Sequence, residues 1–221
     1  MATVAKPSLR ERKFAKTKLA LLEAAVIELE HCSLEGVSVK ALCDRVDVSE
    51  ATFFNYFPKK TDLLDYYIQL WNLELSWVCQ QSEVEGLALI DELFQRCARD
   101  FQKHTGMLTE IIAYLARQRS RVTAPELGLA ERQKAFPKLV GIEEVEIQGL
   151  DRIWMSGLQQ AVASGQLPKN THIPTAIIGL AAIFYGVALM LCQSNAATIG
   201  STYKQQLQIF WQGIISASGG R

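Results

Sequence analysis

The chain is short of the residues that most chemistry needs. Only three histidines occur in 221 residues, His31, His104 and His172, and they lie far apart. No G-x-x-x-x-G-K-[ST], G-x-G-x-x-G, H-E-x-x-H or G-x-S-x-G motif is present, so phosphate cradles, zinc helices and nucleophile elbows are missing. The expectation is a protein that is no enzyme and uses neither metal nor cofactor. Five cysteines, Cys32, Cys43, Cys79, Cys97 and Cys192, are odd in number and form no C-x-x-C pair. That excludes the paired spacings of metal sites and disulfide frameworks. It reads as reduced core thiols in a cytoplasmic protein, with a redox sensor as the alternative. A convincing strand alternation is also absent. Excess charge of either sign is lacking too, with 23 basic against 23 acidic residues. Total charge therefore argues neither for nor against nucleic acid.

Composition is 49% hydrophobic and 21% charged, enough apolar material for a core and too much for general disorder. The charge is unevenly placed. Lys6, Arg10, Arg12, Lys13, Lys16 and Lys18 face only Glu11 within residues 1–18, a local excess of five positive charges. No apolar run follows, which argues against a secretory signal and leaves a solvated tail or a basic arm. One long stretch, Ile173 to Cys192, carries no charge and could span a bilayer. Its small residues moderate its hydrophobicity and no Lys/Arg cluster flanks it. The favoured reading is a helix buried in a bundle, without a membrane. The alternative is a membrane-embedded hairpin over 173–216.

Apolar residues recur at helical spacing nearly throughout, which predicts an all-α protein. Leu22, Ala25, Val26 and Leu29 mark a first helix; Val39, Leu42, Cys43 and Val46 a short second; Glu50 to Tyr56 a short third. A long helix from near Thr61 follows, then helices over Leu87–Lys103, Leu108–Gln118, Glu144–Ala163, Ile173–Gln193 and Thr202–Ser216. Gly165 suits a helix stop and Pro174 a first turn. The span 120–143, with Pro125, Gly128, Pro137 and Gly141, reads as a loop with a short helical piece. Three short helices before long ones divide the chain into a small domain, 1–60, and a larger helical one, 61–221.

Residues 38–60, SVKALCDRVDVSEATFFNYFPKK, carry the function. Ser38 and Ser49 suit the caps of the second and third helices, because a hydroxyl accepts an otherwise unpaired N–H of the first turn. Between them the chain must reverse at Asp47, and aspartate is among the few side chains that tolerate a positive φ. Val48, Phe53 and Phe57 then point inward and leave Glu50, Ala51, Asn55 and Tyr56 outside. Helix, tight turn, short helix is the helix-turn-helix arrangement, whose second helix lies in the major groove; two short amphipathic helices with a turn also occur in many other all-α proteins, and the pattern alone leaves both readings open. Val46–Lys60, VDVSEATFFNYFPKK, resembles the helix-turn-helix of the tetracycline-repressor (TetR) family, roughly A-G-V-S-x-x-T-[LF]-Y-x-[HY]-F-x-x-K, and LLEAAVIEL looks like that family's first helix. The specific resemblance covers about residues 15–66.

The resemblance implies a homodimeric repressor on a pseudo-palindromic double-stranded operator. Glu50, Ala51, Asn55 and Tyr56 would face base edges, with Glu50 equally suited to the helix dipole. Ser38, Thr52 and Lys60 would grip phosphates, Lys40, Ser49 and Phe54 complete the DNA-facing set, and the basic arm Arg10–Lys18 would follow the backbone. Three positions depart from the pattern: Asp47 for a glycine, Phe54 for a tyrosine whose hydroxyl is thereby lost, and Lys59 for a polar helix opener. The family also implies an effector pocket between middle helices. The candidates are Phe94, Cys97, Phe101, His104, Tyr114, Gln118, Trp154 and Leu158, and their low charge suggests a small apolar or amphipathic effector. Regulation through a protein partner remains the alternative. Dimerisation falls to the last two helices, through Gly179, Ala182, Ile183, Gly186, Leu189, Phe210, Trp211 and Ile214.

Overall fold

The computed structural model describes residues 6–118, 126–192 and 194–218, and among these every regular element is helical. Ten α-helices follow in order: α1 (Leu9–Leu29), α2 (Val39–Val46), α3 (Glu50–Tyr56), α4 (Asp62–Gln81), α5 (Leu87–Lys103), α6 (Thr105–Arg117), α7 (Leu129–Ala135), α8 (Leu150–Ala163), α9 (Ile173–Leu191) and α10 (Ile199–Ser218). Short 3₁₀ turns precede α8 and α10. Two compact units result. The first holds the residues up to Trp77 with Ala113–Ile147; the second holds Val78–Ile112 with Gln148 onward. The unit that contains α1, α2 and α3 thus extends beyond residue 60, and α1, with 21 residues, is not the short helix that the sequence suggests.

In the first unit α1 begins well before its apolar stripe. Ser8 Oγ accepts from the Glu11 amide at 3.2 Å, and the Glu11 carboxylate accepts from the Ser8 amide at 2.7 Å. This reciprocal cap satisfies two first-turn donors and nucleates the helix at Leu9. The basic stretch expected as an arm is therefore three turns of helix. Its last member, Lys18, is buried rather than offered to a partner. Ala15, Leu19, Leu22 and Ala25 of α1 pack inward, as do Leu42 and Cys43 of α2, Phe53 of α3 and Phe57. Phe57 stands 5.6 Å from Phe53 and 5.7 Å from Tyr66, ring centre to ring centre.

The α2–α3 turn is made at Asp47, with φ 58° and ψ 52°. The Val48 amide closes it by donating to the Cys43 carbonyl at 3.0 Å. An L-residue held left-handed costs about 1–2 kcal/mol, and glycine's extra unfolded-state freedom offsets about 0.5–1 of that. Asp47→Gly is thus expected to stabilise this unit by roughly 0.5 kcal/mol in urea titration; a destabilised variant would show the aspartate side chain to matter.

Three helix starts differ from expectation, and the last is that of the Thr202–Ser216 helix, which opens at Ile199. The Glu144–Ala163 helix opens at Leu150 instead, because Arg132 takes the carbonyls that an earlier start would use: its Nη1 donates to Glu143 O at 3.3 Å and Val145 O at 2.7 Å. The helix expected from Leu108 opens three residues earlier, at Thr105. Within 120–143 a short helix, α7, is present, while residues 120–125 lie outside the described residues, as does Gln193. Gly165 follows α8 with φ 78°, the left-handed stop its position suggested.

The second unit is built round aromatic rings. Phe94 lies 5.2 Å from Phe184, 5.0 Å from Tyr203 and 5.8 Å from Trp154, while Phe101 lies 5.3 Å from Phe184. The Tyr203 hydroxyl donates to the Phe184 carbonyl at 2.6 Å, joining α10 to α9 inside the core. Burial pushes the Cys97 thiol well up, and burial with the Glu92 charge pushes Cys79 up to about 11. Both stay protonated at neutral pH, when thiolate is the reactive form. Native protein at pH 7.5 should hence leave Cys97 unlabelled by Ellman's reagent until denaturant is added. Fast native labelling would restore the redox-sensor reading.

Among the described residues α9 is the helix long and apolar enough to cross a membrane, with mean hydropathy 2.1 and 22% of its residues buried. Its exposed side explains that low burial. Ile178, Ala182, Gly186 and Leu189 follow one another at helical spacing, with Ile178 70% and Leu189 52% exposed, and Met190 lies beside them.

Candidate nucleic-acid interface

The third helix forms over Glu50–Tyr56, where its sequence predicts it. Ser49 caps it, accepting from the Thr52 amide at 3.1 Å, and its hydroxyl lies 2.9 Å from Thr52 Oγ1. Phe53 and Phe57 are buried and anchor the helix from beneath. Glu50, Ala51, Phe54 and Asn55 are exposed, and Thr52 and Tyr56 are partly so. A seven-residue helix would not hold in isolation. Here the cap closes its first turn, Phe53 is wholly buried and the helix packs against α2.

The polar face of α3 does not stand alone. Phe14 of α1 packs on Tyr56, ring centroids 4.6 Å apart and tilted by 57°. A groove of about 760 Å³ runs between the two helices, lined by Leu9, Arg10, Lys13 and Phe14 on one side and Thr52, Asn55 and Tyr56 on the other. A second groove of about 580 Å³ continues along α1, where Lys13 and Lys16 meet Arg45 and Asp47 of the turn. Arg45 also pairs with Glu28 at 2.6 Å. Lys13 belongs to both grooves. The early start of α1 has therefore set a row of cations beside the helix that carries the amides, hydroxyls and phenol. Cations suit phosphate oxygens, and Asn and Tyr side chains suit base edges.

The residues expected at DNA divide by what they touch. Glu50, Ala51, Asn55 and Tyr56 share the exposed face of α3. Ser38 caps α2, where its hydroxyl accepts from the Ala41 amide at 3.3 Å and keeps its own O–H to donate, and Lys40 is exposed on the first turn of that helix. Phe54 is 46% exposed and edge-on to Phe53 at 5.3 Å. Lys60 differs most from its expected phosphate role. Its ammonium donates to the carbonyls of Leu34, Glu35 and Val37 at 2.9, 2.8 and 3.1 Å, which uses all three of its donors to hold the α1–α2 loop. Lys59 does not cap α4 with its side chain. Its amide donates instead to Asp62 at 2.7 Å. Arg10 and Lys13, read from the sequence as part of an arm, prove to be groove residues. The Ser8-x-x-Glu11 capping box was the available signal that they are helical.

The effector candidates are not gathered into one place. Phe94, Cys97, Phe101, Trp154 and Leu158 converge in the second unit, where each is at most 7% exposed and the rings pack on one another. His104 ends α5. Tyr114 belongs to the first unit, where its hydroxyl donates to Asp65 at 2.9 Å, and Gln118 is exposed just past α6 in the same unit. Burial and that hydrogen bond push the Tyr114 phenol up to about 12, and burial raises the Asp65 carboxyl.

Of the dimer candidates, Ala182 and Leu189 are exposed, and Ile183, Gly186 and Ile214 are partly so. Gly179 faces Phe210 of its own chain so closely that a Cβ would come within 2.5 Å of the ring. Those two residues pack α9 on α10. Trp211 is 7% exposed, turned into the unit beside Asp91, so it contributes core rather than free surface.

Comparison with known proteins bears on this arrangement. Residues 21–67 match the family model described as bacterial regulatory proteins, tetR family. A TetR transcriptional regulator from Rhodococcus sp. RHA1, known from its crystal structure, aligns at 15% identity over 91% of this chain and 95% of its own, with a TM-score of 0.49. No curated protein matches.

Proposed function

We propose that the chain is a TetR-family DNA-binding regulator that acts in the cytoplasm as a homodimeric repressor of a pseudo-palindromic operator. The observation that carries this is the pairing of a capped, exposed α3 with the cationic first turns of α1. That pairing supplies phosphate contacts and base-reading side chains on one surface. Arg10, Lys13 and Lys16 neutralise phosphates. Asn55 and Tyr56 read bases, Glu50 accepts from a cytosine amino group, and Ala51 with Thr52 offers close approach.

A second copy is assigned to the exposed apolar stripe of α9, with Ile209 and Ile215 of α10, which are 62% and 48% exposed. Contiguous apolar surface of this kind marks an interface in a soluble protein. Gly186 lets backbones approach, since nothing beyond its own turn of helix lies within 4 Å of where its Cβ would be. Release from the operator is assigned to a small apolar or amphipathic effector received by the second unit, whose inner surface is aromatic and aliphatic. A regulator released by a protein partner would have no need of such a core ligand. Hydrophobic compounds that dissociate the DNA complex separate the two readings.

Selection of bound duplexes from a random pool tests the whole. Two inverted half-sites about one helical turn apart are expected. Enrichment of no sequence, or an affinity independent of salt, would overturn the proposal. A membrane hairpin at 173–216 would require detergent, whereas the proposed dimer sediments without it.

A further inference from the structure

The DNA-reading surface is braced by a segment from far along the chain. Lys18 of α1 and Glu131 of α7, 113 residues apart, form an ion pair of 3.0 Å with side chains only 10% and 8% exposed. The Lys18 ammonium also sits over the Tyr66 ring at 4.1 Å, with Phe14 and Phe57 at 5.6 and 5.8 Å. Three rings and one carboxylate thus enclose it, the arrangement that repays a buried cation. The second Glu131 oxygen accepts from the Gly128 amide at 2.9 Å, so the same carboxylate starts α7. Burial and the nearby Glu131 charge raise the Tyr66 phenol.

The segment that presents Glu131 is itself stiff. Arg132 ties its two ends together through Leu127, Glu143 and Val145 carbonyls. Leu127, Ala130, Ile142 and Val145 are buried, and Trp77 donates to the Val140 carbonyl at 2.8 Å. A pre-formed strap of this kind can hold a helix in one rotation rather than follow it. The face of α1 it holds carries Phe14 one turn before Lys18, and Phe14 is the residue against Tyr56.

We infer that Glu131 is a positioning residue for DNA reading, acting through Lys18 and Phe14 on Tyr56. The inference rests on the DNA-binding reading above. Were Glu131 only a prop for folding, its loss would lower the melting temperature and leave the discrimination of the folded protein unchanged. Were it positioning, discrimination itself would fall.

The experiment measures operator and random-duplex affinity of full-length protein well below its melting temperature. The variants are Glu131→Gln, Phe14→Leu and the pair together. The expected result is a fall of about tenfold in the operator-to-random ratio for each single variant, as for one lost base contact. The double variant should fall little further, because both act along one path. An unchanged ratio in Glu131→Gln overturns the inference, and so do losses that simply multiply. Where Glu131→Gln fails to fold, Lys18→Met with Glu131→Leu replaces it, since apolar side chains of similar volume commonly substitute for a buried ion pair. That pair should fold and lose discrimination; retained discrimination overturns the inference equally. Wild-type protein is the control. If it prefers no duplex, the DNA reading fails; if it does and Glu131→Gln matches it, only the positioning role fails.

Discussion

Gly186→Glu is expected to fold normally, to sediment as a monomer and to lose at least about a hundredfold in operator affinity, the scale on which two linked half-site contacts exceed one. Nothing in its own chain obstructs the new side chain, as the Cβ position at Gly186 is open within 4 Å. Glutamate is also a better helix former than glycine by up to about 1 kcal/mol, so the isolated subunit gains if anything. In a two-fold interface, however, each copy would confront the other's carboxylate with no cation on α9 to answer it. Like charges held in a desolvated contact cost several kcal/mol. Gly186→Ala is the control and should remain dimeric. An intact Gly186→Glu dimer would place the interface elsewhere on the protein.

Tyr56→Ala is expected to cost about 1–3 kcal/mol of operator affinity while leaving random-duplex binding nearly untouched. Lys13→Ala should weaken both equally and reduce the slope of log affinity against log salt by about one, since one phosphate contact and its counterion are lost. The contrast follows from the groove they share. Tyr56 stands on the exposed side of α3, whereas Lys13 lies at the junction of the two grooves along α1. Binding measured at several salt concentrations on both duplexes checks it. Equal behaviour of the two variants would refute the division into reading and anchoring residues.

The helix-turn-helix was legible because it is local. Ser38, Asp47, Ser49, Phe53 and Phe57 each state a cap, a turn or a buried face within a few residues of chain. Their geometry follows from short-range hydrogen bonding and helical spacing. The early start of α1 is equally local, written in Ser8 and Glu11. Other roles were illegible in principle. Lys60 looks like a free cation in sequence, yet it folds back to three carbonyls 23 to 26 residues away. Trp211 has the amphipathic setting of an interface residue and is nonetheless turned inward.

The existence of the helices and the caps at Ser38 and Ser49 follow from the order of residues alone, because periodicity and capping act over one or two turns, whereas the start of α8 and the exposed side of α9 do not. Which cations stay on the surface and which close a loop or a buried pair was decided only in three dimensions. A charged side chain takes whatever oxygen the fold brings within reach, and for Lys18 that oxygen arrived from Glu131.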